Sequence, residues 1–109
     1  MDFKGKEIKF FLKMYPIAKV KCTQLNHHLY KDRNNSTLVR YLHFYELIVE
    51  KVETWLKKLT IDEQEVINLR YFKDYSLDKI AICLGYANHS TILYKDKKIV
   101  KKIERSELQ

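Results

Sequence analysis

The apolar residues of this chain recur at intervals of three and four, the spacing that draws a stripe along one side of a helix. Ile8, Phe11, Leu12 and Tyr15 make the first stripe, and Pro16 biases Tyr15 away from helical torsions, so the pattern predicts a first helix from Lys4 that ends or kinks there. Proline suits the first turn of a new helix. Ala18, Cys22, Leu25 and Leu29 then predict a second helix from Pro16 to about Tyr30. The polar run Lys31-Asp32-Arg33-Asn34-Asn35-Ser36 predicts a loop, since such residues bond readily to their own backbone.

Ser36 or Thr37 is expected to cap a long third helix, along which Leu38, Tyr41, Tyr45, Ile48, Val52, Trp55 and Leu59 step by 3, 4, 3, 4, 3 and 4. Leu42, Val49 and Leu56 flank this seam. At about 1.5 Å per residue the helix is on the order of 30 Å long, more than a small trihelical domain covers. Part of the seam therefore packs on the N-terminal helices of the same chain or on another subunit, as the seam of a homodimer. The heptad register places Tyr41, Tyr45 and Trp55 in that core or dimer seam rather than in base stacking.

Thr60-Ile61-Asp62-Glu63 has the form of a capping box, and it predicts a fourth helix whose buried side is Val66, Ile67, Leu69 and Tyr71. Asp62, Glu63 and Glu65 crowd its first turns, where the helix dipole favours negative charge. Ser76 caps a short fifth helix, Leu77 to Leu84, with Leu77, Ile80, Ala81 and Leu84 inward and Gly85 at the left-handed stop. A sixth helix is predicted from about Ser90 to Glu104. On it Ile92, Ile99 and Ile103 lie within about 20° of one line, with Leu93 and Val100 beside them, at 100° per residue.

Composition agrees with an all-α fold. The 109 residues include 2 Gly and 1 Pro, too few for the frequent turns of an all-β chain. No apolar run approaches the roughly 18 residues needed to span a bilayer, and Met1-Asp2-Phe3-Lys4-Gly5 lacks the layout of a signal peptide. The expectation is a cytoplasmic protein without membrane contact. Cys22 and Cys83 read as reduced core fillers.

Charge brings in a partner. The chain carries 21 basic and 14 acidic residues, net +7, unevenly spread. Residues 1 to 31 hold 7 basic and 2 acidic side chains, residues 32 to 70 hold 6 and 7, and residues 71 to 109 hold 8 and 5. Both ends are basic, and a polyanion such as duplex DNA suits them, because each Lys or Arg near a phosphate displaces a condensed counterion. A short helix, a Gly-containing turn and a second helix form the layout of a helix-turn-helix. The polar side of the sixth helix collects Ser90, Thr91, Tyr94, Lys97, Lys98 and Lys101, hydroxyls first and ammonium groups later, as suits a helix inserted into the major groove by its N-terminus.

The run Leu-Thr-x-x-Glu-x-x-Val-Ile-x-Leu-Arg-Tyr from Leu59, followed by Tyr-Ser-Leu-x-x-Ile-Ala-x-x-Leu-Gly from Tyr75, resembles the fourth region of the bacterial primary sigma-factor family, which binds promoter DNA through a helix-turn-helix. From Gly85 to Leu93 the chain departs from that pattern and looks more like the DNA-binding signature of the replication initiator DnaA, whose Asp-His-Ser/Thr-Thr run faces DNA. Asn88, His89, Ser90 and Thr91 occupy the matching positions, with Asn88 in place of the acid. No Gly-x-x-x-x-Gly-Lys-Ser/Thr occurs, so the ATPase of a complete initiator is missing from this sequence. Leu12 to Pro16, the polar loop, the long helix and the sigma-like segment together are similar to small phage regulators of late transcription, the ArpU and RinA families.

The resulting expectation divides the chain into N-terminal helices and a long helix at 1–59, a DNA-binding helix-turn-helix at 60–104 and a tail at 105–109. Asn88, His89, Ser90, Thr91 and Tyr94 are expected to read bases, and Lys73, Lys79, Lys95, Lys97, Lys98, Lys101 and Lys102 to meet phosphates. The basic N-terminal arm from Lys4 to Lys21 is the alternative DNA-reading element. The implied function is a phage or prophage transcription regulator that binds specific duplex sites. The competing reading is an adaptor that binds RNA polymerase or another regulator with little DNA contact. Catalysis is not expected, because no His-Glu-x-x-His or comparable spacing appears. Neither cofactor nor metal is expected: Cys22, His27 and His28 lack a fourth ligand at finger spacing.

Overall fold

The computed structural model describes residues 3–108; Met1, Asp2 and Gln109, and with them the first two positions of the signal-peptide comparison, lie outside the described residues. Within it the chain is all-helical. The helices are α1 (Gly5–Lys31), α2 (Ser36–Lys57), α3 (Ile61–Ile67), α4 (Leu77–Leu84) and α5 (His89–Glu107), and α3 runs on into a π-helical turn at Asn68–Phe72.

The two helices expected before the first loop are one. Pro16 lies inside the 27-residue α1 rather than at a boundary. An interior proline costs about 3 kcal/mol through its lost hydrogen bond and ring clash. Ile8, Leu12, Tyr15 and Ala18, on both sides of Pro16, bury a single continuous face, and each large apolar side chain contributes about 1.5–3 kcal/mol. Their sum outweighs the proline.

Asn35, one residue ahead of the expected Ser36 or Thr37, caps α2 by accepting the Leu38 N–H at 3.1 Å. Its own amide donates to Asp32 Oδ2 at 3.1 Å, which stiffens the turn between the two helices. α1 and α2 pair as an antiparallel hairpin. Of the expected seam, Ile48, Val52, Trp55 and Leu59 are buried, Leu38 and Tyr45 are half-buried, and Tyr41 is exposed. Tyr41 is a correction, and Leu42 takes its place in the interface. A 3.5-residue repeat drifts by about 20° per heptad on a straight 3.6-residue helix. The buried face therefore slides onto Leu38, Leu42, Tyr45 and Val49 near the loop, where α2 packs on α1.

Nearer its C-terminus α2 meets the rest of the chain. Trp55 is fully buried among Phe3, Phe11, Leu59 and the inner residues of α3 and α5. Phe3 stands edge-on to Phe11 at 5.0 Å and to Trp55 at 5.5 Å. One core thus draws on Phe3 to Leu59 and on Val66 to Ile103. Gly5 makes this docking close: a Cβ there would sit 3.0 Å from Glu104 Oε1. Thr60 and Glu63 cap α3 reciprocally, and Gln64 Nε2 donates to the Leu56 carbonyl at 2.6 Å, which satisfies the frayed end of α2.

A smaller cluster of Leu69, Ile80, Ala81 and Ile92 holds α4 against α5. Two expectations fail around it. Cys83 is exposed, since Ile80 and Ala81 define the inner face of α4 and position 83 falls outside it, while Cys22 is only half-buried. Leu93 is exposed for the same geometric reason, one step round α5 from the buried Ile92.

Candidate nucleic-acid interface

The geometry between α4 and α5 is set by local chemistry. Ser76 Oγ accepts the Lys79 N–H at 3.2 Å and starts α4. Gly85, at φ 77°, ends it in a left-handed conformation that costs a residue without a Cβ nothing. The Tyr86 N–H returns to the Ala81 carbonyl at 2.8 Å, the six-to-one bond of a Schellman stop. The chain reverses over Gly85 to Asn88 and α5 begins at His89.

Asn88 is the N-cap of α5, with its Oδ1 accepting the Ser90 N–H at 3.0 Å. His89 Nδ1 lies 3.0 Å from Asp78 Oδ1, so it links the beginnings of α4 and α5. Ser90 is exposed and Thr91 half-buried. Thr91, Tyr94, Lys95 and Lys98 form one wall of a cleft of about 320 Å³, with Asp62, Glu63 and Val66 of α3 opposite.

The outer face of α5 continues as a basic strip. Tyr94, Lys97, Lys98 and Lys101 are exposed and, with Arg105, line a shallow groove. Arg105 extends the spacing Lys97, Lys101, Arg105 by one more turn; a strict i, i+4, i+8 reading of the sequence includes it. The Lys98 ammonium lies 5.2 Å from the Tyr94 ring centre, and Lys95 lies 5.1 Å from that of Tyr86, whose phenol holds the Lys95 ammonium above the usual lysine pKa.

The expected phosphate set divides. Lys97, Lys98 and Lys101 share the outer face, whereas Lys102 turns towards α3 and bonds Glu63 Oε1 at 2.8 Å. Burial pushes the Glu63 carboxyl up, but its bonds from Lys102 and Thr60 hold it below the usual carboxylate range. Lys73, ahead of α4, and Lys79, near its start, lie 5.9 and 3.9 Å from the ring centre of Tyr75.

Sequence reasoning passed over Asp96, which is 3% exposed in the middle of the lysine run. Its Oδ1 accepts the Tyr71 hydroxyl at 2.8 Å and lies 3.5 Å from Arg70 Nε. Burial, then the neighbouring carboxylate, push the Tyr71 phenol well above its ordinary pKa. The π turn makes this contact. Its wider winding carries the Lys73 N–H to the Asn68 carbonyl at 2.9 Å and sets Arg70 and Tyr71 beside α5.

Cys22 of α1 lines a different groove with Glu46, Val49, Glu50 and Glu53 of α2, and burial, with Glu46 adding to it, raises its thiol pKa. His27 and His28 are exposed, their rings 6.2 Å apart. Among the described residues no three His, Cys, Asp or Glu side chains gather where they could hold a metal ion. No helix among them is long and apolar enough to cross a membrane. No protein-family model matches the chain, and no curated protein or solved structure matches it.

Proposed function

We propose that this chain is a sequence-specific duplex-DNA-binding transcription regulator, of the phage or prophage type that its sequence resembles, with α4 and α5 acting as a sigma-like helix-turn-helix. The observation that carries this reading is the division of α5 into an inner face of Ile92, Ile99, Val100 and Ile103 and an outer face on which Ser90, Tyr94, Lys97, Lys98 and Lys101 stand exposed. Polar groups at the first turn suit base edges, and ammonium groups two and three turns on suit the phosphates that border the groove. In this reading Thr91 and Ser90 read bases, His89 is oriented by Asp78, and Asn88 shapes the turn through its cap.

Selection of bound duplexes from a random library tests the proposal. Enrichment of a motif is expected; no enrichment, with the chain folded, removes sequence-specific recognition.

The adaptor reading is favoured by one feature. Tyr41, Phe44 and Leu47 are exposed together on α2, an apolar stripe of the kind that protein interfaces use. The same stripe suits a homodimer, which places two reading helices about one turn of DNA apart. Sedimentation of the chain alone and on its selected duplex separates the two.

A further inference from the structure

We infer that α1 supplies a second phosphate contact, outside the two helices assigned to base reading: Lys9 and Lys13 grip the DNA backbone flanking the site. The inference rests on the DNA-binding reading above. Lys9 and Lys13 lie on one side of α1, four residues apart, and both are exposed. The fold brings them to a cleft of about 380 Å³ whose other walls are Arg70, Tyr71, Asp74, Tyr75, Ser76 and Leu77, the connection into α4 and its first turn. Lys73 and Lys79 lie 5.9 and 3.9 Å from the ring centre of Tyr75, which lines this cleft, so lysines from segments some 60 residues apart in sequence surround one stretch of surface. Asp74 is the one carboxylate among the residues lining the cleft, set against Lys9 and Lys13, while Arg70 lies beside Asp96.

A net positive charge at the start of the first helix of a reading pair, four lysines against Asp74 and Asp78, suits the backbone that this helix crosses. Surface lysines repel one another, and a row of phosphates relieves that repulsion while releasing counterions. The contact carries no base information, so it lengthens the footprint and raises affinity without changing the preferred sequence.

The test is a salt titration of the full chain and of the double variant Lys9→Gln, Lys13→Gln on a duplex selected by the wild type and on random duplex. The variant is expected to bind both more weakly, by a similar factor, with a salt slope flatter by about 1.8, which is about 0.9 for each phosphate left without its lysine. Trimming the selected duplex by about half a turn on the α4 side should make the wild type behave like the variant. The double variant Lys31→Gln, Lys57→Gln removes the same charge from exposed lysines that do not line this cleft, and its slope should stay near the wild-type value. An unchanged slope for the Lys9/Lys13 variant, or an equal flattening in the Lys31/Lys57 control, overturns the inference and leaves base reading by α5 intact. Absence of wild-type binding to any duplex at low salt overturns the DNA reading itself.

Discussion

The Tyr71 hydroxyl donates to Asp96 Oδ1 across 2.8 Å, inside the protein and directly beneath the basic face of α5. This bond and the nearby Arg70 guanidinium fix the rotation of α5 about its axis, because they hold the one acid of the Lys95 to Lys102 run inward and leave Lys97, Lys98 and Lys101 outward. Asp96→Ala leaves Arg70 and Tyr71 without their partner and should cost about 3 kcal/mol, the lower end for breaking a buried pair. Tyr71→Phe loses one charge-assisted bond and should cost about 1.5–3 kcal/mol. Urea unfolding followed by circular dichroism checks both, and equal stability of Asp96→Ala and wild type refutes the anchoring role.

Affinity for duplex DNA should fall steeply with salt. With five or six basic groups near phosphates the logarithmic slope is expected at about −4 to −6. Fluorescence anisotropy at several salt concentrations measures it. A slope near zero contradicts a phosphate-contacting surface.

Residues at the start of α5 should fail differently from those further along. Thr91→Ala is expected to cost about 1–3 kcal/mol on the selected site and almost nothing on random DNA, while Lys98→Ala weakens both and flattens the slope by about one. Asn88→Ala removes the cap on Ser90 N–H and should lower stability by about 1 kcal/mol, so its binding loss is compared with its melting curve. Lys102→Ala, which loses only its bond to Glu63, should leave the salt slope nearly unchanged. Equal losses for Thr91→Ala on both DNAs remove base reading from this turn.

Stability should decline in strong alkali. Tyr15 donates to Glu53 Oε2 at 2.9 Å, and burial, together with that bond and charge, raises its pKa from 10.0 to about 12. The folded state thus holds a proton that the unfolded state releases, so the stabilisation is complete below pH 10 and is lost as pH rises through about 12. Chemical denaturation between pH 9 and about 12 should show Tyr15→Phe losing less stability over this window than the wild type. Parallel profiles contradict the linkage.

Pro16 should be a net burden on α1. Pro16→Ala restores an interior N–H and a better helix former at a half-buried position, so the melting temperature should rise. A fall indicates that packing of the ring in the groove with Tyr15, Lys19, Val20 and Phe72 outweighs the backbone gain.

Local signals in the sequence were sufficient for the all-helical fold and for most boundaries, because caps and stops act over a few residues. The Thr60–Glu63 box, the Ser76 cap and the left-handed Gly85 all stand where their chemistry demands. The buried faces of α3 and α4 were legible too, since a 3.6-residue period needs only the order of the residues. Tertiary packing decided what order alone cannot. Pro16 remains inside a helix because residues on both sides of it share one core, and Tyr41 turns outward because the buried face of α2 drifts off the heptad positions onto Leu42. The lysines looked equivalent in the sequence, yet Glu63 takes Lys102 to α3 while Lys9 and Lys13 arrive from the far end of the chain beside Tyr75. Charge along a sequence states how many groups can meet an anion; only the packing of helices from distant segments decides which of them face the same way.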